Sequence, residues 1–308
     1  VERNEVQKSV GLLGAGSIGE HYLANLVKHY GDVAVFDTDA GRVEAASVAG
    51  GRVVESAKIL AAECDVVLVS LPNPPAVRAA FKGGDGLLAG LRPGALVVDT
   101  STVSPEVNRE MSALVQGLGG GYLDAPVSGG QPAEAGVEGA KAATMTFMVG
   151  GGRSDFDRAQ ELFDVLGSHA MLLGPSGSGT VVKLISNLCS GIHLLIAAEA
   201  FALGAACGFS TEELSKVFRQ TDAKSYIMTD YLIPRILAHN TVPGFTVDLQ
   251  VKDHRLAQEL AHDVKVPLPF NALAIQTWER LRAQNRGQHD IADSSFFIAE
   301  QAGQSLHK

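Results

Sequence analysis

Hydrophobic and polar positions follow two different rhythms along this chain. As far as residue 173, short apolar runs alternate with segments of helical period. The runs Ser9–Leu13, Asp32–Asp37, Asp65–Ser70, Ala95–Asp99, Gly121–Ala125, Thr144–Val149 and Ala170–Leu173 predict strands. Between them, His21–His29, Ala40–Ala49, Ser56–Ala62, Pro75–Phe81, Pro105–Gln116 and Arg153–Leu166 predict helices. Such alternation implies a parallel sheet covered on both faces. From Gly174 to Phe209 the chain then runs some thirty residues without a proline after its glycine-rich entry. Read as one helix it would extend roughly 45 Å, a spine as long as a small domain is wide. Beyond it the pattern predicts helices only: Thr211–Gln220 opening on a near capping box, Ser225–His239 kinked at Pro234, Val247–Val264 and Phe270–Asn285.

The first strand leads into Gly14, Gly16 and Gly19, spelling GAGSIG ahead of a helix. This is the dinucleotide fingerprint in its strand–turn–helix context. Gly14 permits the tight turn, Gly16 lets a pyrophosphate approach the backbone of the Ser17–Ile18 turn, and Gly19 allows helix to pack on strand. The helix N-terminus offers N–H groups to phosphate. Asp37 ends the next strand eighteen residues after Gly19, where a carboxylate can bond to ribose hydroxyls and repel a 2′-phosphate. The predicted cofactor is therefore NAD in preference to NADP, although Arg42 can bend onto a 2′-phosphate. Capping the following helix is the alternative role for Asp37, one that Thr38 or Asp39 can equally fill. The fold class that follows is α/β: a Rossmann-type dinucleotide-binding domain over residues 1–174 and an all-α domain over 175–308, joined by the long helix.

Composition narrows this picture. With 308 residues, 46% hydrophobic content, 34 glycines and 6% aromatics, the chain is large enough for two domains and suits an α/β enzyme. A net charge of -9 without a basic run excludes the electrostatic footprint of a nucleic-acid binder. Cys64, Cys189 and Cys207 lack metal-ligand spacing and read as reduced packing residues of a cytoplasmic protein. The N-terminus VERNEVQKSVGLLGAG leaves no room for a signal core. Ile192–Phe209 is apolar enough to raise a membrane reading, but His193 and Glu199 interrupt it, so a helix buried within protein is expected. A spine too hydrophobic for one small domain to cover predicts a homodimer or homotetramer.

Ligands of open α/β sheets bind beyond the carboxyl ends of the strands. Two such ends carry Leu71–Pro72, an apolar wall for the nicotinamide ribose, and Ser101–Thr102, hydroxyls for the ribose or carboxamide; a helix cap is the alternative for Thr102. Ser128, Gly129 and Gly130 expose backbone N–H groups in a nest suited to a substrate carboxylate, or form a glycine loop without chemistry. Near the start of the spine, Lys183 and Asn187 lie four residues apart and share one helix face. A lysine there can snorkel to water. As a general base it needs its pKa tuned down from about 10.4. No residue cluster asks for a metal.

Four stretches in order, Gly11–Gly19, Asp124–Gly130, Gly177–Asn187 and Lys252–Asp253 with its Phe245, resemble the β-hydroxyacid dehydrogenase family. That is the family of 3-hydroxyisobutyrate dehydrogenase, tartronate semialdehyde reductase and, more distantly, 6-phosphogluconate dehydrogenase. The resemblance covers nearly the whole chain. It implies hydride exchange between NAD and a short 3-hydroxy acid or its semialdehyde, with Lys183 as general acid/base and Asn187 holding the reacting oxygen. It further implies that Ser128, Gly129 and Gly130 bind the substrate carboxylate, Phe245 contacts substrate and Lys252 sits near the nicotinamide. Gln131–Ala143 is longer than the family's usual loop, which bears on the substrate rather than the reaction. Ser17–Ile18 stands where many relatives have a methionine before Gly19, a volume-conserving change. Two alternatives share the scaffold: an imine or other carbonyl reductase, whose relatives usually lack the lysine, and a catalytically silent cofactor-binding module.

Overall fold

The computed structural model describes residues 8–129 and 136–306. Residues 1–7, 130–135 and 307–308, Gly130 among them, therefore lie outside the described residues. The chain forms two compact units, which divide between Lys183 and Leu184.

The first unit is built on one sheet. In chain order its elements are β1 (Val10–Leu13), α1 (Gly19–Tyr30), β2 (Val33–Phe36), α2 (Ala40–Val48), β3 (Arg52–Val53), α3 (Ala57–Glu63), β4 (Val66–Val69), α4 (Pro74–Phe81), α5 (Leu87–Gly90), β5 (Leu96–Asp99), α6 (Pro105–Gly117), β6 (Gly121–Asp124), β7 (Val127–Ser128), α7 (Gly136–Ala142), β8 (Met145–Gly151), α8 (Arg153–Leu166) and β9 (Gly167–Gly174). The strand order is β3-β2-β1-β4-β5-β6-β8-β7, with β9 on β8. From β3 to β6 every pairing is parallel, in register from Val10↔Val33 through Asp99↔Asp124. The order turns at β1, between β2 and β4. That is the switch point at which open α/β sheets leave a crevice beyond their carboxyl ends.

The expected all-parallel sheet is corrected on its far side: β8 runs antiparallel to both β6 and β7. Only Ala125 and Pro126 separate β6 from β7, too few for a helical crossover, and β8 runs back past both. Apolar strands form because both faces are buried. Leu12, Leu68, Val98 and Leu123 point into one core with Leu23, Leu26 and Phe163, whereas Leu13, Val67, Val97 and Tyr122 point into another with Leu60, Phe81 and Met111.

The second unit is helical. Its elements are α9 (Ser178–Ala206, whose first turns belong to the first unit), α10 (Thr211–Phe218), a π-helical turn Ile227–Leu232, α11 (Ile233–Leu237), α12 (Val247–Asp263), α13 (Pro269–Ala283) and α14 (Asp293–Gln301). At 29 residues α9 is about 43 Å long. Its mean hydropathy over its most apolar window is high enough for a membrane span. Yet Leu194, Leu195, Ala197, Phe201 and Ala202 pack with Trp278, Val251 and Phe297 in a protein core. Ser210 and Glu213 make the full reciprocal capping box at the start of α10. The break at Pro234 takes the form of a π-helical turn ahead of it, since the missing N–H leaves a carbonyl of the preceding turn without its helical donor.

Two cysteine expectations need correction. Cys64 is buried, and burial pushes its thiol up to about 12, but Cys189 and Cys207 are exposed rather than packing residues. All three are unbridged. The 3.6-residue period leaves Cys189 on the face of α9 opposite the core.

Candidate active site

In the first unit the glycine turn connects β1 to α1. Gly14 has φ +98°, and a Cβ there would lie 2.3 Å from the Ser70 carbonyl oxygen, so both its conformation and its neighbour require glycine. At Gly19 a Cβ would meet the Gly14 carbonyl at 2.1 Å, which is the helix-on-strand contact that the third glycine serves. Gly16 differs. Its nearest neighbour is the Arg42 guanidinium, 3.6 Å from a Cβ position, so this side of the turn is lined by a cation and not by protein backbone. Ser17 is exposed and Ile18 half-buried at the mouth of α1. A glycine turn open on its outer side, a helix N-terminus and an arginine together fit a pyrophosphate.

Asp37 follows β2, with a side chain 8% exposed. One oxygen accepts from Ala15 N at 2.8 Å and the other from Asp39 N at 2.9 Å. It thus ties the glycine turn to the end of β2. The capping alternative falls to Asp39, whose Oδ1 accepts from Arg42 N at 3.0 Å. A carboxylate has about four acceptor positions, so Asp37 retains capacity for ribose hydroxyls. Arg42 Nη1 stands 3.9 Å from its Oδ2, half-exposed.

Leu71 and Pro72 follow β4. Leu71 is half-buried, and its Cδ2 lies 3.0 Å from the Gly14 Cβ position, against the glycine turn; Pro72 is exposed. Ser101 Oγ accepts from Leu71 N at 2.9 Å, pinning the two strand ends together. Thr102 is half-buried, and the cap of α6 is Ser104 followed by Pro105, not Thr102.

Two buried carboxylates end neighbouring strands. Burial pushes Asp99 up to about 6, against bonds from the Ser101 and Tyr122 groups that favour the ionised form. Burial likewise raises Asp124, while the N–H groups of Gly177 and Thr180 pull it back. Four residues beyond Asp124, Ser128 lies half-buried on β7 opposite Thr146 of β8, and Gly129 follows it. Gly130 falls outside the described residues.

Lys183 is 8% exposed in the second turn of α9, and Asn187, also 8% exposed, follows one turn later. The stem of Lys183 is thus almost wholly covered by protein. In the second unit Asn187 Nδ2 donates to Asp253 Oδ2 at 2.5 Å. Lys252 Nζ is 3.0 Å from Asp253 Oδ1. Gln250 Nε2 donates to the Asn187 carbonyl at 3.4 Å. One buried carboxylate of α12 thus touches two of the candidate residues. Phe245 is half-buried, and its N–H together with that of Gly244 donates to Asp290 Oδ2 at 3.3 and 2.8 Å. Asp290, wholly buried, also accepts from Tyr231 Oη.

Sequence reasoning singled out none of Asp124, Asp253 or Asp290 as a site residue. The available signal was a carboxylate closing an otherwise apolar run, GYLD, or standing inside an amphipathic helix next to Lys252. Such a residue is costly to bury unless hydrogen-bonded. Among the described residues no cluster of three or more potential metal ligands occurs.

Comparison with known proteins places these features. Residues 9–174 match the family model of the NAD binding domain of 6-phosphogluconate dehydrogenase. Residues 177–295 match that of the NAD-binding domain of NADP-dependent 3-hydroxyisobutyrate dehydrogenase. The chain is 34% identical to 2-(hydroxymethyl)glutarate dehydrogenase of Eubacterium barkeri over 283 residues, 92% of each chain. It is 30% identical to the mitochondrial 3-hydroxyisobutyrate dehydrogenase of Homo sapiens, over 95% of this chain and 87% of that one. Among solved structures, Mycobacterium tuberculosis 3-hydroxyisobutyrate dehydrogenase with L-serine superposes with a TM-score of 0.85 at 30% identity. It covers 95% of this chain and 99% of that one.

Proposed function

This chain belongs to the β-hydroxyacid dehydrogenase family, as an NAD(P)-dependent oxidoreductase, and from that premise we propose that it oxidises a short 3-hydroxy acid resembling 3-hydroxyisobutyrate, or reduces the corresponding semialdehyde, with Lys183 as general acid/base. The observation that carries this reading is a buried lysine and a buried asparagine one turn apart on α9. Nicotinamide supplies the hydride acceptor. In oxidation, neutral Lys183 Nζ takes the hydroxyl proton as the carbon surrenders hydride; in reduction its ammonium returns the proton to the carbonyl oxygen. Asn187 holds the reacting oxygen, its amide oriented by the bond it donates to Asp253. Ser128 with Gly129 and Gly130 receives the substrate carboxylate, Phe245 contacts the substrate, and Lys252, paired with Asp253, serves the nicotinamide side.

Lys183→Ala tests the assignment directly. The variant loses about 10² to 10⁴ in turnover, the worth of general acid/base catalysis, while retaining cofactor binding by fluorescence titration. Turnover at the wild-type rate would falsify the role of the lysine. A panel of 3-hydroxyisobutyrate, L-serine and 2-(hydroxymethyl)glutarate with NAD, followed at the reduced nicotinamide band, ranks the substrates. Cofactor binding without turnover of any of them removes the 3-hydroxy acid reading.

We also assign a homo-oligomeric state to the protein. Ile185, Ile196 and Leu203 are 54%, 57% and 67% exposed along one face of α9, with Cys189 between them. Their spacing of eleven and seven residues keeps them on one stripe, as in helices that meet a second helix.

A further inference from the structure

Asp124 takes no part in the chemistry proposed above, yet it is wholly buried and ionisable. Its Oδ1 accepts from Gly177 N at 2.6 Å and its Oδ2 from Thr180 N at 3.0 Å. Both donors belong to the entry and first turn of α9, whose N–H groups have no helical acceptor. A helix start is usually capped by a neighbour in sequence. Here the cap arrives from 53 and 56 residues away, on the last residue of β6.

The surroundings are shaped to this carboxylate. At Gly150 a Cβ would stand 2.5 Å from Asp124 Oδ1, so only glycine on β8 leaves it room. Gly177, which donates the shorter bond, has φ +93° and turns the chain into the helix. Thr180 is held from its other side as well, since Asn108 Nδ2 of α6 donates to its Oγ1 at 3.2 Å. Lys183 stands three residues after Thr180, on the same face. In the other direction, the chain from Asp124 reaches Ser128 in four residues.

We propose that Asp124 is a positioning residue: by gripping the first turn of α9 with both carboxylate oxygens it sets Lys183 at a fixed distance from the β6–β7 segment that carries Ser128. This rests on the reading of Lys183 as the acid/base. A purely structural cap would contribute stability alone; a positioning cap also sets turnover. Neutralising it leaves an acceptor for only one of the two donors, and in Asp124→Asn the amide N–H group opposes the other. The released turn then carries Lys183 out of line.

The test is steady-state kinetics of Asp124→Asn and Asp124→Ser beside Lys183→Ala, with NAD and 3-hydroxyisobutyrate as the probe pair. For Asp124→Asn we expect kcat to fall roughly 10- to 100-fold, the cost of a misplacement on the order of 1 Å. KM for NAD should stay within about twofold, because uniform binding is untouched. Asp124→Ser, whose hydroxyl can accept without setting an amide N–H group against the second donor, should fall less. An inactive Lys183→Ala beside an Asp124→Asn enzyme of wild-type kcat overturns the clamp and leaves the lysine reading standing. A fully active Lys183→Ala overturns the lysine reading itself. Parallel losses in kcat and in cofactor affinity reveal a structural cap only and likewise overturn the proposal. Should neither Asp124 variant fold, hydrogen exchange of the wild-type enzyme decides. The Gly177 and Thr180 amides are expected to exchange as slowly as the central strands, and exchange at the rate of an exposed loop refutes the clamp.

Discussion

At the scale of single residues, Asp37 holds the glycine turn to the end of β2 and keeps acceptor capacity to spare. It could have been spent on capping α2, but Asp39 performs that task, and Asp37 instead accepts from Ala15 N inside the glycine turn. We infer that an anion fixed at the end of β2 disfavours a 2′-phosphate by repulsion, with the half-exposed Arg42 3.9 Å from the same carboxylate. The enzyme should therefore show kcat/KM for NAD at least about tenfold above that for NADP, a difference of about 1.4 kcal/mol. Asp37→Ser should narrow the gap. Equal use of the two cofactors by the wild-type enzyme would remove this role. Asp37 was legible because its position is defined by spacing from the glycines. Asp124, Asp253 and Asp290 were not, because their partners are 53, 66 and 46 residues distant and only the folded chain makes those pairs.

At the scale of elements, α9 was visible as a long apolar segment, and its ends moved inward from 174 and 209 to 178 and 206. Its packing against α12 was not visible. A Cβ on Gly191 would lie 2.2 Å from both Gln250 Nε2 and His254 Nε2. His254 is buried, which holds its imidazole below the ordinary range. Asn271 donates its amide to the His254 carbonyl and to Gln258 Oε1, leaving its own Oδ1 to accept from His254 Nδ1. The ring therefore cannot turn away from an added methyl without breaking that bond. Gly191→Ala should cost about 1–3 kcal/mol by overpacking, seen as a melting temperature several degrees lower. An unchanged melting temperature would show that α9 and α12 do not approach this closely. The sequence pattern also missed α5, α7, α14 and the short β3 and β7. Each is short or weakly periodic, and tertiary contacts rather than local preference stabilise such pieces.

At the scale of the whole molecule, the exposed face of α9 is the principal question. A helix with core residues on one side and Ile185, Ile196 and Leu203 on the other has more apolar surface than its own unit covers. Light scattering after size exclusion at micromolar concentration should give a dimer or a larger closed assembly, and Ile196→Lys should shift the population toward monomer. A monomeric wild-type protein would contradict the oligomeric assignment. The sheet carries a related lesson. Alternation of strand and helix correctly implied parallel pairing from β3 to β6, but β8 is antiparallel to β6 and β7 while parallel to β9. Strand direction at that edge depends on how the chain returns, and composition does not encode it.

By itself the sequence determined the alternation of elements, the glycine turn between β1 and α1, the long helix and the spacing that sets Lys183 and Asn187 one turn apart on it. All of these are read from period and spacing within single segments of the chain, so no tertiary contact is needed to see them. Tertiary structure decided which carboxylates hold those residues in place. Asp124 meets the start of α9, and Asp253 meets Asn187, through contacts between elements far apart in the chain. A buried charge tolerates burial only where hydrogen-bond donors converge on it, and that convergence exists only once the strands and helices have packed.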